Sequence, residues 1–274
     1  MNTSQADVPP NDSRILRVRP RYCRLYTDPG VEPAERNYRH AYLDWAVPLA
    51  QCALVCVDVW DGHHAADTCA RTDAVTRTHV APLVHACRQH GLRVIHAPAS
   101  PVAQKHANWV RLVPDWQHPA PAFADSPDWP PSAFKRKEGP YAAYARPHEP
   151  QEDERAKRRE TSRWFHPDVQ PEGDEAVVVC GEELHRFCAQ REVLFLFYVG
   201  FHTNACMIHR DYAPFAMRRR GYECVVLRDC TTGMETAETA DAMTCTRGAI
   251  ASFEQFGLYT MTSDELAAAL AGSP

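Results

Sequence analysis

A regular alternation of apolar runs with helix-like segments governs the second half of this chain. The runs EAVVVC, VLFLFYVG and YECVVLRD are each followed by a segment with apolar residues at helical spacing, namely GEELHRFCAQRE, ACMIHRDYAPFAMRRRG and TAETADAMTCTRGAIASFEQFG. Nearly continuous apolar runs of this length are typical of strands buried on both faces, as in a parallel sheet. Strands that alternate with helices predict a doubly wound sheet covered by helices on both sides.

The first half contains one further unit of the same pattern. CALVCVDVW is a buried-strand run, RTDAVTRTHVAPLVHACRQHG has helical spacing with a terminal glycine that suits a helix end, and LRVIHAP is the next strand. Together with LYTM, which follows the last of the helical segments, six strands are expected. The sequence therefore predicts the α/β class, as a three-layer α/β/α sandwich around a mostly parallel, six-stranded, doubly wound sheet.

Two stretches stand outside this alternation. Residues 1–50 are rich in Arg, Tyr and Pro with little periodicity, and we expect an N-terminal arm that wraps the domain or a partner subunit. Residues 51–274 then form one domain, interrupted at about 98–171 by a segment that holds 13 of the 22 prolines. Because long segments without a regular pattern are typically functional, we expect this one to cover the strand ends as a lid.

Charge and length restrict the partners of this protein. A net charge of -5 over 274 residues gives no reason to expect nucleic acid as a partner, which usually requires a basic face, so we expect a small-molecule substrate. The chain has no apolar run near the ~18 residues that a membrane span requires, and its first residues lack the pattern of a signal peptide. The eleven cysteines are scattered and odd in number, unlike a secreted disulfide framework. The expected location is cytoplasmic, without membrane contact.

Ligands of open parallel sheets bind at the carboxyl ends of the strands, and two reactive side chains are predicted there. Asp58 ends the first buried run, and Cys206 follows VLFLFYVG at the start of a predicted helix. Unpaired N–H groups at a helix start stabilise anions and lower the pKa of a thiol. Asp58 could then take the thiol proton while the same N–H groups hold an oxyanion. The alternative is an inert core thiol at Cys206 and a capping carboxylate at Asp58; Asp229, after the next strand, is expected to be a structural cap.

Three segments together resemble the isochorismatase-like cysteine hydrolases, a superfamily that includes nicotinamidases and N-carbamoyl amidohydrolases. They are ALVCVDVWDG, LRVIHAP and YVGFHTNACMIHRDYAPFAMRRRGYECVVLRDCTTG. In that superfamily an Asp ends the first strand and a G-x-x-T-x-x-C segment opens a later helix. Residues 200–206, GFHTNAC, match that segment position by position. The similarity covers about residues 51–100 and 175–260.

The resemblance implies a catalytic triad of Asp, Lys and Cys. By this likeness Cys206 is the nucleophile that attacks an amide-like carbonyl, and Asp58 is the base that activates the thiol and returns the proton to the leaving amine. The likeness also places a cis peptide at Phe201–His202, which would direct the N–H groups of His202 and Cys206 towards the oxyanion. It implies no cofactor, and a homo-oligomer, either a dimer or a tetramer.

The lysine of that triad has no counterpart at the position where the resemblance places it. Cys180 stands there, and no lysine follows Lys157. If an ammonium serves the site, Lys105 is our first candidate because it follows the second strand closely, and Lys137 is the second. An arginine such as Arg163 could substitute electrostatically, but it could not exchange protons.

Further polar and aromatic residues follow the strands and are candidates for the substrate pocket: Trp60, His63, His96 and Thr203. The sequence Asp61-Gly62-His63 also has the Asp-x-His spacing of a metal site in the nicotinamidases, but it lies nearer the catalytic Asp than in those enzymes, and the later histidine pattern is absent. We therefore predict no metal.

The sequence thus predicts a cysteine hydrolase that cleaves a C–N bond in a small amide or carbamoyl compound through a thioester at Cys206. Two alternatives remain open. One is a binding protein of the same fold whose catalysis is impaired by the missing lysine. The other is a metal-dependent hydrolase that uses the His and Asp side chains after the strands, here called the His/Asp alternative. The substrate itself is not defined by these residues.

Overall fold

The computed structural model of this protein describes residues 14–113, 116, 129–154 and 163–272. The chain divides into two compact units, one of residues 1–112 with 164–274 and the other of residues 113–163. The strands and the candidate site described below belong to the first unit. The predicted division into an arm, a domain and an insertion stays a prediction, as does the role of the insertion as a lid.

Ten strands form between residues 15 and 261 of the described chain. They are β1 (Ile15–Val18), β2 (Arg21–Arg24), β3 (Arg39–Tyr42), β4 (Trp45–Pro48), β5 (Cys52–Val57), β6 (Arg93–Ala97), β7 (Ala176–Val177), β8 (Phe195–Gly200), β9 (Glu223–Leu227) and β10 (Tyr259–Met261). β1 and β4 form an antiparallel pair, and the other eight form one sheet in the order β3-β2-β10-β9-β8-β5-β6-β7.

The α-helices alternate with the later strands. They are α1 (Ala66–Val75), α2 (Ala81–His90), α3 (Ser100–Ala103), α4 (Ser132–Arg136), α5 (Gly181–Gln190), α6 (Cys206–His209), α7 (Pro214–Arg219), α8 (Thr244–Gln255) and α9 (Ser263–Leu270). A π-helical turn (Thr76–Val80) joins α1 to α2, and short 3-10 helices cover Glu35–Asn37, Leu49–Gln51, Gly139–Tyr144 and Pro167–Val169. None of the helices in the described residues has the length and apolar character that crossing a bilayer demands.

The core lies on both faces of the sheet, as expected for three layers. On one face, residues of β5 such as Leu54 pack with Val84 of α2 and Leu266 of α9. On the other face, Val55 packs with Leu184 of α5 and Phe253 of α8. Successive residues of β5 therefore point into different layers, and all six of its residues are buried. The predicted α/β/α sandwich is confirmed.

The sheet has eight strands, two more than predicted from the sequence. Six adjacent strands, from β10 to β7, are parallel and correspond to the six apolar runs. β2 and β3 extend this sheet in antiparallel orientation, with β2 beside β10. They come from the segment expected to be an irregular arm, and their half-exposed polar residues lack the apolar run that marks a buried strand.

A buried carboxylate attaches these two added strands to the sandwich. Glu254 of α8 is 3% exposed and accepts from Nε of Arg21 at 2.8 Å. Its other oxygen lies 2.8 Å from Nε2 of His40 on β3, and the hydroxyl of Thr260 on β10 also donates to Glu254. Because a buried carboxylate is costly without partners, the two strands and Glu254 stabilise one another.

A second buried polar cluster lies beside the second parallel strand, β6. His96 is 1% exposed, and its Nε2 lies 2.9 Å from Oε2 of Glu175. Arg88 of α2 donates to both oxygens of the same carboxylate, at 2.7 and 2.9 Å. Burial alone would raise the pKa of Glu175, but the hydrogen bonds from Arg88 and His96 lower that pKa to about 2. Burial lowers the pKa of His96 and outweighs the opposing effect of Glu175.

Both shifts make the free energy of unfolding fall as the solution becomes acidic. The neutral imidazole of His96 stabilises the fold above its unfolded pKa near 6.5, and that contribution is lost as the pH falls. The contribution of Glu175 is lost between about pH 4.5 and 2.

We expect Glu175→Gln to lower the free energy of unfolding by about 2 kcal/mol at pH 7 and to flatten its decline below pH 4.5, as measured by urea unfolding from pH 7 to 3. If the free energy of unfolding of this variant fell below pH 4.5 as steeply as that of the wild type, the prediction would be contradicted.

Candidate active site

Asp58 ends β5 in a conformation that directs it out of the sheet. It has a left-handed φ of 48°, which stops the strand, and it is fully buried. Its N–H donates to the carbonyl of Ala97 on β6 at 3.1 Å. The end of the central strand thus carries a carboxylate that is shielded from water, at the edge where parallel sheets bind ligands.

The neighbouring strand β8 ends in close contact with β5. Gly200 lies opposite Val57 and has a φ of 123°, and the N–H of Phe201 donates to the carbonyl of Val57 at 3.0 Å. The Phe201–His202 peptide is cis, as the resemblance implied. Because β5 and β8 are adjacent and parallel, the turn that follows Gly200 arrives next to Asp58.

Cys206 is the first residue of α6, beside this carboxylate. Burial and then the charge of the Asp58 carboxylate raise the pKa of this thiol, whereas the backbone N–H of His202 lowers it, so the three groups lie close together. Oδ1 of Asp58 is buried and makes no hydrogen bond within the described residues. The N–H of Cys206 itself donates to no backbone carbonyl in the residues that the structure describes. The carboxylate and the thiol therefore lie at the same end of the sheet, and the N–H groups of His202 and Cys206 belong to the turn and the helix that carry the thiol.

The predicted lowering of the thiol pKa is wrong. Burial, followed by the charge of Asp58, raises the pKa of Cys206 to about 12, although the positive charge of Arg210 opposes this. Helix α6 has only four residues, so its dipole is weak, and desolvation dominates. At neutral pH the thiol is protonated, and it needs a base to become a nucleophile.

The cation that contacts Asp58 is Arg210, which the sequence analysis did not single out. Its Nε and Nη2 both donate to Oδ2 of Asp58, at 3.1 and 3.0 Å. The side chain of Arg210 is 29% exposed, whereas that of Asp58 is fully buried. Although burial opposes it, the charge of Asp58 raises the pKa of Arg210 above its usual range. Oδ1 is engaged by neither nitrogen, which leaves it for the thiol.

The first lysine candidate, Lys105, belongs to the same unit as Asp58 and Cys206, and the second, Lys137, belongs to the other unit. Lys105 is exposed after α3 and makes no hydrogen bond or ion pair with Asp58 or Cys206 in the part of the chain that the structure describes. Lys137 and Arg163 belong to the second unit, where Nζ of Lys137 lies 3.5 Å from the centroid of the Phe134 ring. Cys180, at the position of the superfamily lysine, is buried directly before α5.

Two of the predicted pocket residues lie beside the site and pack on His202. The ring centroids of Trp60 and His202 are 5.7 Å apart, and those of His63 and His202 are 4.9 Å apart, both in edge-on contact. The Nδ1 of His63 accepts the N–H of Ala65 at 3.1 Å, which leaves its proton on Nε2. An aromatic and imidazole wall thus adjoins the oxyanion donor.

The other two predicted pocket residues are placed differently. His96 is turned to Glu175 and Arg88 in the buried cluster described above, because it lies in register with Cys56 and shares its side of the sheet. Thr203 is fully buried, and its hydroxyl lies 2.7 Å from that of Thr231, which ties the turn after β8 to the one after β9. Both side chains make hydrogen bonds within the fold, and their place in a substrate pocket stays a prediction.

The loops that follow β8 and β9 are held together by further bonds. Asn204 pairs with the backbone of Met234 in both directions, donating at 2.8 Å and accepting at 2.9 Å. Arg71 of α1 donates to the hydroxyl of Thr232 at 2.9 Å and to the carbonyl of Gly233 at 2.9 Å.

Asp229, which follows β9, accepts from the N–H of Ser263 at the start of α9. The prediction that Asp229 is a structural cap is therefore confirmed.

The Asp61 and His63 donors of the His/Asp alternative make local hydrogen bonds. Oδ1 of Asp61 accepts the N–H of Trp164 at 2.9 Å, and Nδ1 of His63 is committed to Ala65. Within residues 14–113, 116, 129–154 and 163–272, no group of three His, Cys, Asp or Glu side chains is placed to hold a metal ion. These donors serve local turns.

Comparison with known proteins agrees with this architecture. The family model of the isochorismatase domain matches residues 52–265, well over half of the chain. The crystal structure of a cysteine hydrolase from Pseudomonas syringae pv. phaseolicola 1448A is 15% identical, with a TM-score of 0.52, covering 84% of this chain and 97% of that one. An isochorismatase family protein from Desulfovibrio vulgaris is also 15% identical, with a TM-score of 0.49 and coverage of 81% and 98%. No curated protein sequence matches this chain.

The family model covers most of the chain, and the sandwich fold agrees with it. Together they define the class of this protein, which is an α/β protein with the isochorismatase hydrolase fold. This chain belongs to the isochorismatase family, which confirms the resemblance read from GFHTNAC and the Asp-bearing strand.

Proposed function

We propose that this protein is a cysteine hydrolase that cleaves a C–N bond in a small amide or carbamoyl compound. The observation that carries the proposal is the meeting of the Asp58 carboxylate, the Cys206 thiol and the His202 N–H group. Membership of a family with a hydrolase fold supports it. In this proposal Asp58 is the base, Cys206 is the nucleophile and the N–H of His202 is an oxyanion donor.

The first half of the reaction forms a thioester. The Cys206 thiol gives its proton to Asp58 as its sulfur attacks the carbonyl carbon, and the carbonyl electron pair moves to oxygen. The N–H groups of His202 and Cys206 stabilise this oxyanion. The C–N bond then breaks, and the amine leaves with the proton that Asp58 returns.

The second half releases the acid. Asp58 removes a proton from a water molecule, which attacks the thioester carbon, and a second oxyanion forms at the same donors. The C–S bond breaks, and the sulfur recovers its proton from Asp58. One water is consumed for each C–N bond cleaved. The protonated resting thiol suits this cycle, because the proton that the leaving amine needs is already present.

The proposal is tested by ammonia or amine release from a panel of small primary amides, ureido acids and N-carbamoyl amino acids. Rapid acid quench and mass spectrometry should reveal an acyl group on the peptide that carries Cys206. Cys245→Ala, which removes a half-buried thiol of α8, is the matched control and should retain both signals. Binding of panel members without release or adduct would favour a binding protein of the same fold instead.

Assembly is a separate proposal. We expect a dimer or tetramer in the cytoplasm, and light scattering of the purified full chain checks the oligomeric state. A monomer across the concentration range would overturn that part alone.

A further inference from the structure

The described structure leaves the superfamily's lysine position unable to serve the site. Cys180 is 2% exposed, and a thiol cannot supply the positive charge of an ammonium. The next residue, Gly181, donates its N–H to Oδ2 of Asp211 at 2.8 Å. A Cβ atom on Gly181 would lie 2.1 Å from the carbonyl oxygen of Asp211. The segment after β7 is therefore packed directly on the residue that follows Arg210.

We infer that Arg210 is the positioning residue of this active site, holding Asp58 through Oδ2 so that Oδ1 faces the thiol of Cys206 and placing a positive charge beside the sulfur. The inference rests on the proposed cysteine chemistry, and it assigns to an arginine directly after α6 the place that a lysine from another element holds in the superfamily.

The spacing of Cys206 and Arg210 makes this arrangement possible. The two residues are four apart, and the N–H of Arg210 donates to the carbonyl of Cys206 at 3.2 Å. Residues four apart on one helical turn share a face, so both side chains are directed at the same carboxylate. The one-turn helix α6 thus carries the nucleophile at its start and the cation directly after its end.

The guanidinium also fixes the carboxylate. Two N–H groups, Nε and Nη2, converge on Oδ2, which restrains the rotation of the Asp58 carboxyl group more than a single ammonium would. An arginine does not exchange protons at these pH values. The transferred proton therefore passes only between the thiol, Asp58, the leaving amine and water, and Arg210 acts through position and charge.

The charge of Arg210 acts on the sulfur as well. It lowers the pKa of Cys206 against the larger effects of burial and of Asp58. Removing the positive charge should therefore leave less thiolate at any given pH. This effect can be measured without a substrate, because iodoacetamide reacts with the thiolate form.

The experiment follows alkylation of the Cys206 peptide by mass spectrometry from pH 6 to 10, in the full chain. Arg210→Gln is expected to slow alkylation at pH 8 by about tenfold, which corresponds to one pKa unit. Arg210→Lys keeps the charge and should alkylate within about threefold of wild type. Arg219→Gln removes an exposed arginine of α7 and is the matched control, with wild-type alkylation. Circular dichroism confirms folding of each variant.

Steady-state kinetics distinguish the positioning of Asp58 by Arg210 from the effect of the positive charge alone. Arg210→Lys should lower kcat about tenfold or more on the best amide of the panel, while KM stays within about twofold. The reason is that a lysine lacks the pair of guanidinium N–H donors that orients Asp58. An Arg210→Gln alkylation profile equal to wild type, or a Lys variant with unchanged kcat, would overturn the inference. If wild type releases no ammonia, the proposed function fails, while the alkylation comparison still decides the role of Arg210.

Discussion

Asp58→Asn should lower hydrolysis by about three to four orders of magnitude and yet make Cys206 more reactive towards iodoacetamide. Hydrolysis falls because Asp58 is the group that takes and returns the proton in both halves of the proposed reaction. Thiol reactivity rises because the charge of Asp58 raises the pKa of Cys206, so its removal lowers that pKa. The two effects have opposite signs in one variant.

The measurement pairs steady-state amide hydrolysis with alkylation of the Cys206 peptide at pH 8. An increase of at least about tenfold in alkylation is expected, since one pKa unit changes the thiolate fraction tenfold. Cys206→Ala is the comparison, because it should lose both hydrolysis and labelling at that peptide. Slower labelling in Asp58→Asn would mean that Asp58 acts as the base even towards iodoacetamide, contrary to this prediction.

Stability must be followed in the same variant. Asp58→Asn leaves Arg210 without its ion-pair partner, and removing one member of a buried pair commonly costs several kcal/mol. The Arg210 side chain is 29% exposed, so water can solvate part of the guanidinium and the cost should be about 2 kcal/mol. Urea unfolding separates this loss from the catalytic effect.

The six parallel strands could be predicted because each is a buried apolar run that needs no knowledge of its neighbours. β5, with all six residues buried, is the clearest example. β2 and β3 could not be predicted in the same way, because the residues of β2 are half-exposed, those of β3 are mostly exposed, and both strands are short and largely polar. Their place depends on Glu254, which lies more than 200 positions later in the chain and buries its carboxylate against Arg21 and His40.

The residues of the candidate site also differ in whether local sequence was enough to predict them. Asp58 and Cys206 were identifiable from local sequence, because Asp58 ends an apolar strand run and Cys206 lies after another such run at the start of a predicted helix. Arg210 was missed, although its spacing of four from Cys206 was a usable signal. The direction of the thiol pKa could not be read either, because a helix start is visible in sequence whereas burial beside a carboxylate is a property of the tertiary structure.

Gly200 is the last residue of β8 and directly precedes the turn that carries His202. Its φ of 123° lies in a region that other residues rarely adopt, and a Cβ atom there would lie 1.8 Å from the carbonyl oxygen of Val57. That carbonyl accepts the N–H of Phe201, so it cannot move away without breaking the bond that brings His202 to Asp58.

Gly200→Ala is therefore expected to cost about 4 kcal/mol or more of unfolding free energy, which is at the upper end for a single substitution. Gly248→Ala is the matched control, since Gly248 lies in α8 with nothing within 4 Å of the added methyl group. An alanine in that helix should stabilise the fold by about 0.5–1 kcal/mol. Urea unfolding of both variants checks the contrast. A Gly200→Ala protein with near wild-type stability and thiol reactivity would show that β5 and β8 need not approach so closely, and the alignment of Asp58 with Cys206 would require another explanation.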